Sequence, residues 1–198
     1  MEKTSNNQTK MGRLKLFLVL AVCAAPIILS YLTYFVIKPS GRTNYGTILD
    51  PRSYPLPKLG GHLLGGDAKE LDAYKGKWIM LQVDSGDCNE RCKKKLYDMR
   101  QLRTAQGKEM ERIERVWLII DDSPVDTVLL REYDGTRILR VDGVLLKKWL
   151  PTEPGTELND HMYMIDPLGN LMMRFPKAAD PNKIKKDISK LLRASAIG

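Results

Sequence analysis

Residues 16–37 run for 22 positions without a charged side chain. As a helix rising about 1.5 Å per residue, such a stretch spans roughly 33 Å, enough to cross the hydrocarbon core of a bilayer. Tyr31 and Tyr34 lie toward its far end, where interfacial aromatics sit. The apolar region of a cleavable signal is about 7–15 residues, so this longer run reads as an uncleaved anchor. Leu20-Ala21-Val22-Cys23 has the outline of a lipoprotein box, but Val22 is a poor residue before the cysteine and the apolar run continues past it. Cys23 then reads as a small packing residue within the span. Lys10, Arg13 and Lys15 precede the run, so the positive-inside rule leaves a cytoplasmic tail at 1–15 and exports everything beyond the span. The expected location is an inner (cell) membrane, single-pass, with the C-terminal part in the periplasm.

One soluble domain of about 150 residues remains, enough to bury a real core. A hydrophobic content of 43% and a charged content of 28% suit a folded domain. The net charge is +8, of which the first 37 residues carry +3. The remaining +5 is spread out, with no basic patch interleaved with aromatics, which argues against a nucleic-acid partner.

Residues 38–66 are rich in Pro, Gly, Ser and Asn and read as a linker and irregular lead-in, placing the domain at 67–198. Within it, 69–74 reads as a short turn or helix and 78–83 as an apolar strand. Residues 89–106 read as a helix, with Cys92, Leu96, Met99 and Leu102 three or four apart. A second buried strand is expected at 115–121, a short helix at 124–133, a weaker strand at 136–141 and a short helix at 144–150. Two strands, 161–165 and 171–175, flank the turn Asp166-Pro167-Leu168-Gly169-Asn170. Residues 181–193 form an amphipathic helix with Ile184, Ile188, Leu191 and Leu192 on one face and Lys183, Lys185, Lys186 and Lys190 in solvent. Strand, helix, strand, helix, then a hairpin and a closing helix is the order of an α/β, thioredoxin-like fold: a central mixed sheet with helices on both faces.

Cys88 and Cys92 sit where the strand at 78–83 hands over to the following helix. Helical positions four apart have Cβ atoms about 5–6 Å apart, and a disulfide needs about 3.5–4.5 Å, so a small distortion at the helix start allows a bridge. A helix N-terminus favours a thiolate, and Arg91, Lys93, Lys94 and Lys95 add positive charge, while Asp84, Asp87 and Glu90 oppose them. Three readings stay open: a structural disulfide, a reactive dithiol, and a Cu(I) site on two soft sulfurs. Structural zinc takes four ligands and is poorly supported by two cysteines and two distant histidines, His62 and His161. His62 falls in the lead-in, facing solvent. Met162, Met164, Met172 and Met173 are soft donors, but they read first as core filling.

The chain resembles the SCO/SenC family, membrane-anchored thioredoxin-like proteins of cytochrome c oxidase assembly and copper delivery. The resemblance rests on the single anchor, on Gly76-Lys77-Trp78 opening the first core strand, on Cys88-Asn89-Glu90-Arg91-Cys92 as its CxxxC, and on Met162-Tyr163-Met164-Ile165-Asp166-Pro167-Leu168-Gly169-Asn170. It implies that Cys88 and Cys92 carry the chemistry, either by delivering copper or by reducing copper-site cysteines. It also implies Cu(I) as the metal, with Cys88, Cys92 and His161 as ligands, and oxidase subunits or another thiol or copper protein as partners. The chain departs from the family at two positions. Asn89 stands where the family has proline, and Leu158 fills the slot of its copper-binding histidine, with His161 three residues later. These departures favour an alternative, a metal-independent periplasmic thiol–disulfide oxidoreductase. A third reading is a non-catalytic interaction module with a static disulfide, in which removing both cysteines lowers stability and spares function.

Overall fold

Trp78-Ile79-Met80-Leu81-Gln82-Val83-Asp84 is buried at every position, the mark of a strand covered on both faces. In the computed structural model, which describes residues 3–37 and 44–197, it forms β2 (Trp78–Asp84) inside a six-stranded mixed sheet. The other strands are β1 (Thr47–Ile48), β3 (Ile113–Ile119), β4 (Thr136–Arg140), β5 (Met162–Ile165) and β6 (Leu171–Phe175), in the order β1-β6-β5-β2-β3-β4. β2, β3 and β4 run parallel, so each connection must cross over. The crossovers carry α2 (Glu90–Thr104) and α3 (Thr127–Glu132). After α4 (Gly143–Trp149) the chain returns as β5, antiparallel to β2, with Gln82 opposite Met162. The β5–β6 turn closes as expected: the Asp166 carboxylate accepts from the Asn170 backbone N–H at 2.7 Å, and Gly169 takes φ +94°. α5 (Pro181–Ala194) follows.

Alternation along β2 divides the core. Ile79, Leu81 and Val83 join Leu59, Leu118, Tyr163 and Ile165 in one cluster. Trp78 and Met80 join Met99, Met162, Met164, Met173, Ile184 and Ile188 in another. Three of the four late methionines are thus buried core residues and Met172 packs partly buried against them. The lysines of α5 are exposed, while Ile184, Ile188 and Leu192 of the same helix are buried.

Several boundaries differ from the sequence expectation, α3 for one starting at Thr127 and not at 124, and two of the differences matter most. β3 begins and ends two residues earlier than 115–121, which releases Asp121 from the strand to cap a turn. The folded unit begins at Asn44 and not at residue 67. Its Pro- and Gly-rich start has the composition of a linker, but its backbone groups are paired with sheet edges. β1 adds antiparallel to β6, and His62 exchanges backbone hydrogen bonds with Arg140 at 3.0 and 2.9 Å. Leu59 is completely buried, and the Tyr45 and Gly46 backbone N–H groups donate to the buried Asp187 carboxylate at 2.7 and 2.8 Å. His62 is accordingly half-buried, where the sequence reading had it facing solvent. The expected tether at 38–43, and residues 1–2 of the expected tail, lie outside the described residues.

The N-terminal unit is a single helix, α1 (Lys3–Leu32), continued by a wider π-helical turn at Thr33–Ile37. Its stretch Arg13–Val36 is long and apolar enough to cross a membrane. Pro26 lies within it, as prolines do in membrane helices. The helix already includes most of the expected tail.

Candidate functional site

Asn89 decides the local geometry. It is the N-cap of α2, with extended backbone (φ −64°, ψ 177°), and its side-chain oxygen accepts from the Cys92 backbone N–H at 3.1 Å. An asparagine is among the best residues for that role. Cys92 is therefore inside the first helical turn, and Cys88 is one residue before the cap. The distortion expected at the helix start is a turn: Cys88 lies in it, at φ +37°, a left-handed conformation that non-glycine residues seldom adopt. That reversal brings the Cα atoms to 5.1 Å, and the two sulfurs form a disulfide.

The disulfide is enclosed. Cys88 is 1% exposed and Cys92 0%, in an apolar cluster with Leu96, Trp117, Ile119, Leu129 and Tyr133. The turn bearing Cys88 is fastened from below. Gly86 passes so close to the Ser123 carbonyl oxygen that a Cβ would clash with it, so only glycine fits. The Asp121 carboxylate accepts from the Gly86 and Ser123 backbone N–H groups, each at 3.1 Å. Arg140 donates to the Asp121 and Ser123 carbonyls. Burial by itself would raise the Asp121 carboxyl, but these donors together with the Ser85 hydroxyl hold it below its usual range.

Charged groups ring the helix start in pairs. Lys95 lies 2.9 Å from the Asp84 carboxylate and also donates to the Asn159 carbonyl at 2.7 Å. Burial pushes the Lys95 ammonium down, against the pull of Asp84. Asp160, 8% exposed, is held by Arg91 at 2.8 Å and Lys177 at 3.2 Å. Burial raises its carboxyl, and the Glu157 N–H, Lys177 and Arg91 outweigh that, leaving it below the normal value. A cavity of about 230 Å³ opens beside this pair, over buried Met162 and Ile184, with Arg91, Lys94 and Lys177 around it.

Gln82 escaped the sequence reading. It is 0% exposed in the central strand, and its Nε2 donates to Cys92 Sγ at 3.7 Å. The signal was available: one amide inside a seven-residue strand that otherwise reads apolar up to its terminal Asp84.

His161 is placed differently from a metal ligand. It is completely buried; Nδ1 donates to the Phe175 carbonyl at 2.9 Å and Nε2 lies 2.7 Å from the Thr156 hydroxyl. Both ring nitrogens are engaged within the fold. Among the described residues no three His, Cys, Asp or Glu side chains converge as a metal-holding group. Leu158, in the slot expected for the family histidine, packs in the core. The residues thus offer two sulfurs and no third ligand, which does not fit the three-ligand copper site that the resemblance implied.

Residues 78–195 match the family described as "Transmembrane-like, thioredoxin-like, C-terminal domain". The chain belongs to that family. No curated protein matches it by sequence. Among solved structures, a SCO1/SenC family lipoprotein from Bacillus anthracis superposes with TM-score 0.55 at 17% identity, covering 75% of this chain and 98% of that one. Arabidopsis thaliana ScoI with copper bound gives 0.52 at 16% identity, over 76% of this chain and 99% of that one. The thioredoxin domain of a thiol-disulfide oxidoreductase from Bacteroides vulgatus gives 0.52 at 16%, over 73% and 99%. The SCO/SenC likeness read from the sequence therefore holds in the fold, which is equally that of thiol-disulfide oxidoreductases.

Proposed function

We propose that this protein is a membrane-anchored thiol–disulfide exchange protein working through Cys88 and Cys92. The observation that supports it is the bridge itself, formed at the strand-to-helix junction with the second cysteine in the first turn of α2. There the helix N-terminus favours the thiolate that exchange requires. In the reduced protein the two thiols pass two electrons and two protons to a partner disulfide, and the Cys88–Cys92 bridge is left behind. The partner class suggested by the SCO-like fold is an exported protein whose cysteines must be reduced before they bind copper, such as a cytochrome c oxidase subunit. Copper delivery by this chain is not part of the proposal, because His161 is engaged elsewhere. The basic residues before the span, Lys10, Arg13 and Lys15, support an orientation that places the domain in the periplasm.

The near-complete burial of both sulfurs favours a second reading, a static bridge in an interaction module. One experiment separates the two. The full chain, reduced and reconstituted in nanodiscs, is mixed with a peptide disulfide of CxxxC spacing, and product thiols are counted by mass spectrometry. Exchange predicts stoichiometric transfer that fails in Cys88→Ser and Cys92→Ser proteins. Reduced protein that keeps its thiols beside excess peptide disulfide sinks the exchange reading and leaves the static bridge.

A further inference from the structure

We propose that Gln82 is a catalytic residue: its side-chain N–H is the donor that stabilises Cys92 as the thiolate leaving group, which makes Cys88 the sulfur that a partner attacks. The inference rests on the exchange reading above and deepens it.

Cys92 Sγ lies among Leu96, Trp117, Ile119, Leu129 and Tyr133, surroundings that penalise a thiolate. Something must offset that penalty if the bond is to open. The nearby charges are already committed: Lys95 to Asp84, and Arg91 to Asp160. The Tyr133 hydroxyl donates to the Lys93 carbonyl. Gln82 Nε2, at 3.7 Å from Cys92 Sγ, is the side-chain donor already aimed at the sulfur. A disulfide sulfur is a weak acceptor and a thiolate a strong one, so this contact tightens as negative charge develops.

The other end of the amide points the same way. Gln82 Oε1 is fully buried with no hydrogen-bond partner. The amide is thus held by its Nε2 contact to Cys92 Sγ and not through its oxygen. The Nε2 contact to Cys92 Sγ therefore strengthens when that sulfur becomes anionic, with no matching gain for the neutral thiol.

The step balances. In the step that restores the reduced protein, a thiolate of a dithiol reductant attacks Cys88 Sγ and forms a mixed disulfide; the Cys88–Cys92 bond breaks, and its electron pair goes to Cys92 Sγ, held by the Gln82 N–H. The reductant's second thiolate then attacks its own sulfur in the mixed disulfide, forms the reductant's disulfide and releases the Cys88 thiolate.

The test reads the Cys92 thiolate without any exchange partner. In full-length Cys23→Ser/Cys88→Ser protein, thiolate absorbance near 240 nm is followed against pH, with the Cys92→Ser version subtracted. Gln82→Leu is expected to raise the midpoint by about one pH unit, a tenfold loss of thiolate. Gln82→Glu, similar in shape but anionic at neutral pH, is expected to raise it further. In the Cys23→Ser protein with the bridge intact, Gln82→Leu is expected to slow reduction by dithiothreitol several-fold. Equal midpoints for the parent, Gln82→Leu and Gln82→Glu overturn the proposal. So does a shift on Trp117→Phe with none on Gln82→Leu, since the orphaned Trp117 Nε1 would then be the donor. The outcome is independent of whether the protein transfers electrons to a partner.

Discussion

Reduction of the Cys88–Cys92 bridge should leave the domain folded, at a cost that follows from how little chain the bridge encloses. The sequence separation is 4. In the chain-entropy treatment, a closed loop of about five residues lowers the unfolded-state entropy by about 7 cal/mol/K, or about 2 kcal/mol at 25 °C. Packing changes little, because both sulfurs remain in the same apolar cluster. With a urea slope of about 2 kcal/mol/M for a domain of this size, the midpoint should fall by about 1 M. The assay is urea unfolding of the full chain, oxidised and then in dithiothreitol, followed by tryptophan fluorescence. Trp78, Trp117 and Trp149 are the chain's 3 tryptophans and all lie in the domain, so α1 does not contribute to the signal. A loss of about 5 kcal/mol or more, or a reduced protein without a native baseline, refutes the reasoning. The bridge would then be a staple that the fold needs, and a protein that unfolds when reduced cannot cycle.

Three further outcomes follow from single side chains. Asp187→Asn weakens two charge-assisted hydrogen bonds to the Tyr45 and Gly46 N–H groups, so stability should drop by about 2 kcal/mol and limited proteolysis should begin cutting near residues 44–48. Asp121 and Asp160 both titrate below their unfolded value of about 3.9, so their stabilisation is complete above that pH and is lost as pH falls through their lower folded values. Urea midpoints measured from pH 6 down to 2.5 should therefore decline below about pH 4, and less steeply in Asp121→Asn; parallel curves for the two proteins would contradict the assignment. In anaerobic Cu(I) titration of the reduced protein, Cys92→Ser should weaken any binding while His161→Ala leaves it unchanged; a histidine dependence would restore His161 as a ligand.

The sequence was most legible where burial enforces a period. The seven residues of β2, the Leu96–Met99–Leu102 stripe of α2 and the apolar face of α5 each announce their element, because a side chain on the wrong face would lose its core. The stretch 44–66 was misread for the opposite reason. What holds it is backbone pairing to β6 and β4 and two N–H groups on Asp187, and backbone hydrogen bonds leave no trace in side-chain composition. The same limit applies to Asp121, whose contact with Gly86 crosses 35 positions and joins two loops.

At the site itself, residue type was legible and exposure was not. Two cysteines at a strand-to-helix junction look available for attack, yet in the structure they are sealed beneath α3 by Leu129 and the adjoining Tyr133. If exchange occurs, the turn at 85–88 must open, and what holds that turn is polar: Asp121 on Gly86, and Arg140 on the carbonyls of Asp121 and Ser123. Polar contacts at a partly exposed turn can be exchanged for contacts with a partner or with water at small net cost, whereas the apolar cluster beneath cannot. The polar side of the enclosure, the turn at 85–88, is thus the side that opens at the smaller cost. Opened in this way, the turn presents Cys88 Sγ to an incoming thiolate while the buried Gln82 amide stays beside Cys92 Sγ.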